Sequence, residues 1–258
     1  MTARVQRRLV SDVAAMTWRD LIRSVRQPEL LTFGSSAGIF MMLLFYYVFG
    51  GAISAGTGVD YAQYLVPGML LMTVLLGSSV TGEGLAADLT DGVVERFQAA
   101  PMSRLAVLAG RTIADGVRNI PAAVLVGAVG YLLGFRFASV AGAVGSVALA
   151  VAMGYAISWV NALVATLVRD PQVVPLIRVF WLFPLMFAGT MFTPVEQMPG
   201  WLQAFGRNQP VSIAADAIRA LADGTAAGRL TLLALAWTTG LTIVFAFLSL
   251  QAFKRVRV

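Results

Sequence analysis

The sequence predicts an all-α membrane protein with six transmembrane helices. Of its 258 residues, 58% are apolar and only 12% are charged, whereas soluble domains are about 45–50% apolar and about 25% charged. The chain also contains six long intervals without a charged residue. A charge near the middle of a bilayer costs about 2.5–3.5 kcal/mol on the insertion scale, so such intervals are best explained as membrane spans.

The six intervals cover residues 30–59, 61–82, 119–135, 137–168, 179–195 and 230–253. A spanning helix needs about 20 mainly apolar residues. Because the third interval is shorter, we expect its helix to begin near Leu105. Arg111 and Asp115 would then lie four residues apart and pair on one face. The whole chain, 1–258, reads as a single domain, with a cytoplasmic amphipathic segment over 1–29 and a six-span bundle over 30–258.

The fourth and fifth spans differ from ordinary apolar helices. The fourth carries small residues that favour close helix packing, Gly142, Gly145, Ser146 and Gly154. Its Asn161 indicates either a hydrogen bond between helices or a contact to a substrate. The fifth contains Pro184 and leads into a stretch, 193–201, that is rich in helix breakers. This pattern predicts a kinked helix and a partly re-entrant extracellular segment close to a pathway.

Basic residues predict the orientation. With six spans both termini lie on one side of the membrane, and 15 of the 19 Lys and Arg residues fall on that side. Because positive charge is retained inside, both termini are expected in the cytoplasm. Before the first span, Val5, Leu9, Val13 and Met16 recur at helical spacing among arginines. This segment is either an amphipathic helix at the membrane interface or only a determinant of topology.

Missing residues exclude most catalytic chemistry. The chain has no His and no Cys, which excludes Cys/His zinc sites, thiol nucleophiles and Ser-His-Asp triads. Its single lysine, Lys254, lies in the C-terminal tail, so no phosphate-binding loop of the G-x-x-x-x-G-K-[ST] type exists. We expect no catalytic residue, no metal site and no cofactor in this chain, and any ATP hydrolysis must come from another protein.

The cytoplasmic loop between the second and third spans contains a short helix-forming stretch. Val93, Val94 and Phe97 can form one apolar face, and Pro101 ends the helix. This face requires a partner, either the bundle itself or another protein. The loop resembles the coupling element of ABC-2 type transporter permeases, G-x-x-E-R-x-x-x-x-P-x-S-R, at Gly92, Glu95, Arg96, Pro101, Ser103 and Arg104.

Two further stretches are similar to this family. They are Trp18-Arg19-Asp20 with Arg26-Gln27-Pro28, and a C-terminal region that includes Pro194, Met198-Pro199-Gly200-Trp201-Leu202, Asn208-Gln209-Pro210-Val211-Ser212 and Ala217-Ile218-Arg219-Ala220-Leu221. Asn208–Ser212 and Gly134–Phe137 most resemble the daunorubicin-resistance-type permeases of actinobacteria.

The resemblance implies a permease of an ATP-driven exporter in the bacterial plasma membrane. The permease would pair with a second copy or a sibling permease and bind two copies of a cytoplasmic ABC ATPase, which holds ATP and Mg²⁺. Its cargo would be a hydrophobic or amphipathic small molecule, either drug-like or a lipid. The implied coupling residues are Gly92, Glu95, Arg96, Phe97, Pro101, Ser103 and Arg104.

The resemblance also implies a substrate path along the second and fifth spans, below an extracellular re-entrant segment. Candidate path residues are Met69, Met72, Leu75, Phe183, Phe187 and Met191, with Asn161 added from the fourth span. Candidate re-entrant residues are Pro194, Pro199, Trp201, Asn208 and Pro210. Met and aromatic side chains suit such a path because they adapt to varied apolar ligands.

Two other classes of protein remain as alternatives. An ion-coupled transporter needs an ionisable group within the membrane, and all 13 acidic residues lie outside the six intervals, with Glu83 and Asp115 nearest. A membrane-embedded lipid-modifying enzyme would depend on Asp88 and Asp91, whose spacing could hold Mg²⁺ on one helical face.

Overall fold

The structure, a computed structural model, describes residues 2–26, 28–58, 60–91, 104–225 and 228–255. Within these ranges the chain forms helices and turns and no strand. The helices are α1 (Thr2–Arg26), α2 (Pro28–Thr57), α3 (Tyr61–Gly77), α4 (Ser79–Thr90), α5 (Arg104–Leu132), α6 (Val140–Val168), α7 (Val173–Phe187), α8 (Gly200–Asn208), α9 (Pro210–Ala222) and α10 (Gly228–Lys254), with a 3-10 turn at Val195–Gln197.

Five helical stretches are long and apolar enough to cross a membrane. They are Gly38–Ala55, Tyr61–Thr90, Leu105–Leu132, Val140–Val168 and Gly228–Lys254. They match five of the six intervals predicted from charge spacing. The third predicted helix also begins where expected, because α5 starts at Arg104. The chain is therefore an all-helical, multi-pass membrane protein.

The remaining interval does not form one long helix. Its helix, α7, has 15 residues and is about 22 Å long at 1.5 Å per residue, which is less than the hydrocarbon core of about 30 Å. Pro184 lies inside α7, and the helix ends three residues later. The chain then turns through residues 188–194 before the 3-10 turn.

Helix α3 forms the centre of the bundle. Every residue from 65 to 75 is buried, because α2, α5, α6 and α9 all contact this helix. By contrast, α10 exposes large apolar side chains such as Leu232 and Phe247. Exposed apolar faces of this kind are expected of helices that meet lipid or another subunit.

Hydrogen bonds join the ends of helices and the segments between them at both ends of the bundle. At one end, the Gln63 side chain donates to the Arg136 carbonyl at 2.8 Å and to the Asp223 carboxylate at 2.6 Å. This joins the start of α3, the α5–α6 connection and the end of α9. At the other end, the Thr90 hydroxyl donates to the Arg169 carbonyl at 3.0 Å. The ends of α4 and α6 therefore meet on the side from which the 92–103 loop emerges.

Small residues allow the helices to approach closely. Gly154 faces Val74 of α3, and Gly142 faces the Leu221 carbonyl of α9. Ser146 donates to the Ile218 carbonyl at 3.2 Å. The close packing predicted for the fourth span is thus confirmed. A contact of the same kind, which the sequence did not indicate, places Gly68 of α3 against the Met191 carbonyl.

We predict that Gly68→Ala destabilises the protein. The added methyl group would overlap the Met191 carbonyl, and overpacking of this kind costs about 1–3 kcal/mol. Gly240→Ala is the matched control, because nothing lies within 4 Å of the added atom and alanine favours a helix over glycine. Thermal unfolding in detergent should give a lower Tm for Gly68→Ala only; equal Tm values for both variants would contradict the packing.

Candidate functional site

The helices that flank the predicted coupling element are described, but most of the element is not. Helix α4 ends at Thr90 and α5 begins at Arg104. The predicted coupling residues Gly92, Glu95, Arg96, Phe97, Pro101 and Ser103 lie outside the described residues, as does the side chain of Arg104. Their role stays a prediction, so the geometry of the site is that of the surrounding helices.

A buried group of charges joins α1, α4 and α5 beside this loop. Arg111 donates to Asp88 across 2.7 Å between Nη2 and Oδ2, and both residues are buried. From α1, Arg19 and Arg23 approach the same carboxylate at 3.5 and 3.7 Å. Asp20 lies 3.5 Å from Arg111 Nε. A buried charge needs such partners, so these contacts bind the three helices into one unit. We call Asp20, Asp88 and Arg111 the charge cluster.

The charge cluster changes the assignment of two predicted groups. The expected pair between Arg111 and Asp115 is wrong: Arg111 is paired with Asp88, while Asp115 is paired with Arg118 at 2.5 Å and accepts a hydrogen bond from Thr81. The partners differ because spacing on one helix does not show that α4 offers Arg111 a partner, and because Asp115 pairs three residues away on its own helix instead of four. The Asp88 carboxylate is paired with Arg111. The described residues contain no group of three acids that could hold a metal ion.

The second acidic residue considered for ion coupling also has a partner. Glu83 of α4 accepts a bond of 2.9 Å from Arg178 of α7. Each marginal acid, Glu83 and Asp115, therefore lies beside an arginine. The Glu83–Arg178 pair also attaches the first half of α7 to α4.

Helix α1 packs against the first half of α5. The Thr17 hydroxyl donates to the Gly110 carbonyl at 3.1 Å, and Met16 is buried beside Gly110. On the other faces, Val10 and Trp18 are about two-thirds exposed, at 69% and 66%. This helix thus presents apolar side chains that the described residues leave uncovered.

The junction between α3 and α4 is held by polar side chains. Asn161 donates to the Ser78 carbonyl at 3.1 Å, Arg118 to the Gly77 carbonyl at 3.0 Å, and Asn119 to the Val74 carbonyl at 3.4 Å. Of the two interpretations of Asn161, the structure shows the hydrogen bond between helices, which is the bond to Ser78. Its additional place in a substrate path stays a prediction.

The turn after α7 is the other irregular backbone in the bundle. Thr190, Met191 and Phe192 are buried, and buried carbonyl groups need donors. Arg219 of α9 donates to the Thr190 and Met191 carbonyls at 2.6 and 3.3 Å. The Tyr64 and Tyr61 hydroxyls of α3 donate to the Thr190 and Phe192 carbonyls, at 2.6 and 3.3 Å. These side chains replace the helical bonds that the turn removes.

Several contacts orient Arg219. Its guanidinium lies 3.8 Å from the centre of the Tyr64 ring and 2.6 Å from Asp216. Two further bonds hold the backbone around the turn. The amide nitrogen of Thr190 donates to the Ser212 hydroxyl at 3.1 Å, and the Gln209 side chain donates to the Leu185 carbonyl at 2.8 Å. Sequence reasoning included Arg219 only in a family pattern and assigned it no role. The sequence feature that could have indicated its role is a lone arginine between apolar residues, shortly after a run of helix breakers.

The predicted path residues divide into buried and exposed groups. Met69, Met72, Leu75 and Met191 are all buried within the core of this chain. Phe183 is partly exposed and Phe187 is 45% exposed. Aromatic rings form a row from α7 through the following turn to α2, with centroid distances of 5.6 Å for Phe183–Phe187, 5.0 Å for Phe187–Phe192 and 4.9 Å for Phe45–Phe192. The path itself stays a prediction, and of these residues only the two phenylalanines reach the surface.

The predicted re-entrant residues mark the ends of short helices. Pro194 and Pro199 precede the 3-10 turn and α8, and Pro210 is the first residue of α9. Trp201 is 76% exposed. Asn208 donates to the Ala204 carbonyl at 2.8 Å at the end of α8. Their part in a re-entrant segment stays a prediction.

Comparisons with known proteins agree with this architecture. The sequence model of the ABC-2 type transporter family matches residues 11–222. The chain is 32% identical over 246 residues to a daunorubicin resistance ABC transporter permease of Streptomyces coeruleorubidus, which covers 95% of this chain and 87% of that protein.

Mycobacterial proteins are also similar. A doxorubicin resistance ABC transporter permease of Mycobacterium tuberculosis is 34% identical over 212 residues, covering 78% of this chain and 72% of that protein. A probable doxorubicin resistance ABC transporter permease of the same organism is 28% identical over 211 residues, with 81% and 75% covered. Because the family model and the first relative both extend over most of the sequence, the chain belongs to the ABC-2 type transporter family.

Proposed function

We propose that this chain is the permease subunit of an ATP-driven exporter that moves a hydrophobic or amphipathic small molecule out of the cytoplasm or the inner leaflet. The observation that carries the proposal is the buried charge cluster, which joins both helices flanking the 92–103 loop to α1. Such a joint lets a force on the loop reach the bundle. The relatives, which are named as drug resistance permeases, support a drug-like compound as cargo, and a lipid is the alternative.

The partners follow from the same proposal. Two copies of a cytoplasmic ABC ATPase bind ATP and Mg²⁺, since this chain contains no phosphate-binding loop. Each ATPase contacts one 92–103 loop. A second permease copy, or a sibling permease, completes the dimer. The large exposed apolar faces of α2 and α10 leave room for both lipid and a second subunit.

The proposed topology has six membrane passes with both termini in the cytoplasm of a bacterium. The fifth pass consists of α7 and the buried turn that follows it. Segments α8 and α9 then form the extracellular re-entrant element, and α1 lies at the inner membrane interface. Two observations support this arrangement: the loop-bearing end of α4 meets the end of α6, and most basic residues belong to that end.

The proposed mechanism uses the α3–α4 unit as the connection between the two ends. When ATP binding brings the ATPases together, the loop moves and displaces the charge cluster. Helix α4 carries this movement into α3, whose Tyr61 and Tyr64 hold the turn after α7. Movement of that turn and of Arg219 would open the path beside Phe183 and Phe187.

We predict that Glu95→Ala combined with Arg96→Ala lowers export at least tenfold while the ATPase still binds, because these residues belong to the coupling pattern. Export of a fluorescent drug from energised cells and co-purification of the ATPase measure the two effects. The control is Glu196→Ala with Arg207→Ala, which removes an exposed pair 3.8 Å apart. Such pairs contribute little to stability. Full export by the Glu95/Arg96 variant in an intact complex would contradict the proposal.

We predict that Asp88→Leu alone destabilises the protein by about 3–5 kcal/mol, because Arg111 loses its closest counterion in a buried site. Asp88→Leu with Arg111→Met should recover most of this loss, since both members of the closest buried pair are removed together and Asp20 retains Arg19 at 3.8 Å. In the double variant, export should fall while the bound ATPase continues to hydrolyse ATP. Measurements of Tm, ATP turnover and export separate stability from coupling. A stable double variant that exports normally would show that the charge cluster only supports folding.

We predict that Arg219→Met lowers both Tm and export, because two buried carbonyl groups lose a charged donor, each worth about 1.5–3 kcal/mol. Arg219→Lys should retain part of both, since an ammonium group can still donate. Arg207→Met is the matched control on an exposed arginine of α8. If Arg219→Met and Arg207→Met have the same Tm and export rate, Arg219 does not support the turn.

A further inference from the structure

A long apolar groove lies between α5 and α6, and none of the candidate path residues lines it. Its volume is about 940 Å³, within the range of about 300–1,000 Å³ for ligand sites. The walls include Ile113, Val117, Val124 and Tyr131 of α5 and Val144 and Ala148 of α6. The groove lining includes no residue of α7, α8 or α9.

The length of the groove suits an acyl chain. From Ile113 to Tyr131 it follows α5 for about 27 Å at 1.5 Å per residue, which exceeds the half of the roughly 30 Å hydrocarbon core that the acyl chains of one leaflet occupy. Leu70 and Thr238 contribute to the lining from α3 and α10, and both are buried. The groove is therefore a concave surface that runs along α5 and α6.

An arginine lies at one end of the groove. The Arg136 guanidinium carbon is 3.7 Å from the centre of the Tyr131 ring, and Tyr131 is a groove wall. Arg136 Nη1 donates to the Tyr131 and Phe135 carbonyls at 2.6 and 2.8 Å, which fixes the group above the ring. Arg136 is exposed, and the structure pairs it with no carboxylate among the described residues.

The nearest acidic residue on this end has another contact. Asp223 accepts from the Gln63 side chain, which also donates to the Arg136 backbone carbonyl. The Arg136 guanidinium thus lies against Tyr131 of the groove wall, while Gln63 contacts the Arg136 backbone and joins it to Asp223. A cation at the end of an apolar channel is complementary to a molecule with one anionic headgroup and an apolar chain.

We propose that this groove binds an anionic phospholipid, with an acyl chain between α5 and α6 and its phosphate at Arg136. The lipid is a resident ligand and not the cargo, because the groove is separate from the α7–α9 region. The inference requires a chain embedded in a bilayer and does not depend on ATP-driven export. An apolar helix of a second copy is the competing occupant, but such a helix would leave the Arg136 guanidinium without an anionic partner.

The test measures lipid retained by the purified permease. Detergent-solubilised protein is mixed with phosphatidylglycerol or phosphatidylcholine, and bound lipid is counted by native mass spectrometry. The wild type should retain phosphatidylglycerol at least fivefold better than phosphatidylcholine. Arg136→Gln should lose this preference, and Arg136→Lys should keep most of it because the positive charge remains.

A second pair of variants tests the groove itself. Ala148→Phe fills the exposed groove wall and should lower retention of both lipids. Ala236→Phe makes the same change on the exposed face of α10 and should leave retention unchanged. Unfolding temperatures confirm that all variants are folded. Equal retention of the two lipids by the wild type, an unchanged preference in Arg136→Gln, or normal binding by Ala148→Phe would each overturn the proposal.

A cross-linking arm identifies the competing occupant. The chain contains no cysteine, so Ala128→Cys, at another lining position, introduces a single thiol. Disulfide-linked dimers in native membranes would show that a second copy fills the groove and would overturn the proposal. A monomeric thiol, protected from a membrane-soluble reagent by phosphatidylglycerol, is the expected result. Export is not a readout here, so failure of this inference leaves the proposed function intact.

Discussion

A backbone that leaves its helix inside an apolar bundle must find new hydrogen-bond donors, and this requirement organises the molecule around the turn after α7. Arg219, Tyr64 and Tyr61 supply donors to three successive buried carbonyl groups. Because these donors come from α9 and α3, the requirement brings both helices to the turn. The close approach of Gly68 to the Met191 carbonyl follows from the same arrangement. The turn is therefore held both by these donors and by the apolar packing of Met191 and Phe192 in the core.

The opposite end of the bundle depends on a second electrostatic requirement. Asp88 and Arg111 are buried, so each is stable as an ion only with its partner. Their pairing fixes α4 against α5, and contacts from α1 extend the group. Helices α3 and α4 connect this charge cluster to the buried turn through the junction at Ser78, which Asn161 supports. One continuous element therefore joins the place where an ATPase would act to the place where a path would open.

Sequence reasoning succeeded where a property of one segment decides the structure. Charge-free intervals located the five long apolar helices, and the short third interval correctly predicted a start near Leu105. It was incomplete at α7, because the absence of charge does not show where a helix ends. It was wrong for Arg111 and Asp115, whose spacing suggested a pair, because α4 supplies the closest partner of Arg111 and Asp115 pairs with Arg118 on its own helix. The role of Arg219 was hidden because its acceptors lie 28 and 29 residues away along the chain.

We infer that this chain works as the membrane half of an ATP-driven exporter. The most direct test is to purify the tagged protein from its native membranes in mild detergent and to quantify the chains that accompany it. We expect an ABC ATPase at one copy per permease, and drug-stimulated ATP hydrolysis by the purified complex. A folded permease that is isolated alone and moves or modifies a substrate without ATP would rule out an ATP-driven exporter, and would direct attention to Glu83 and Asp115.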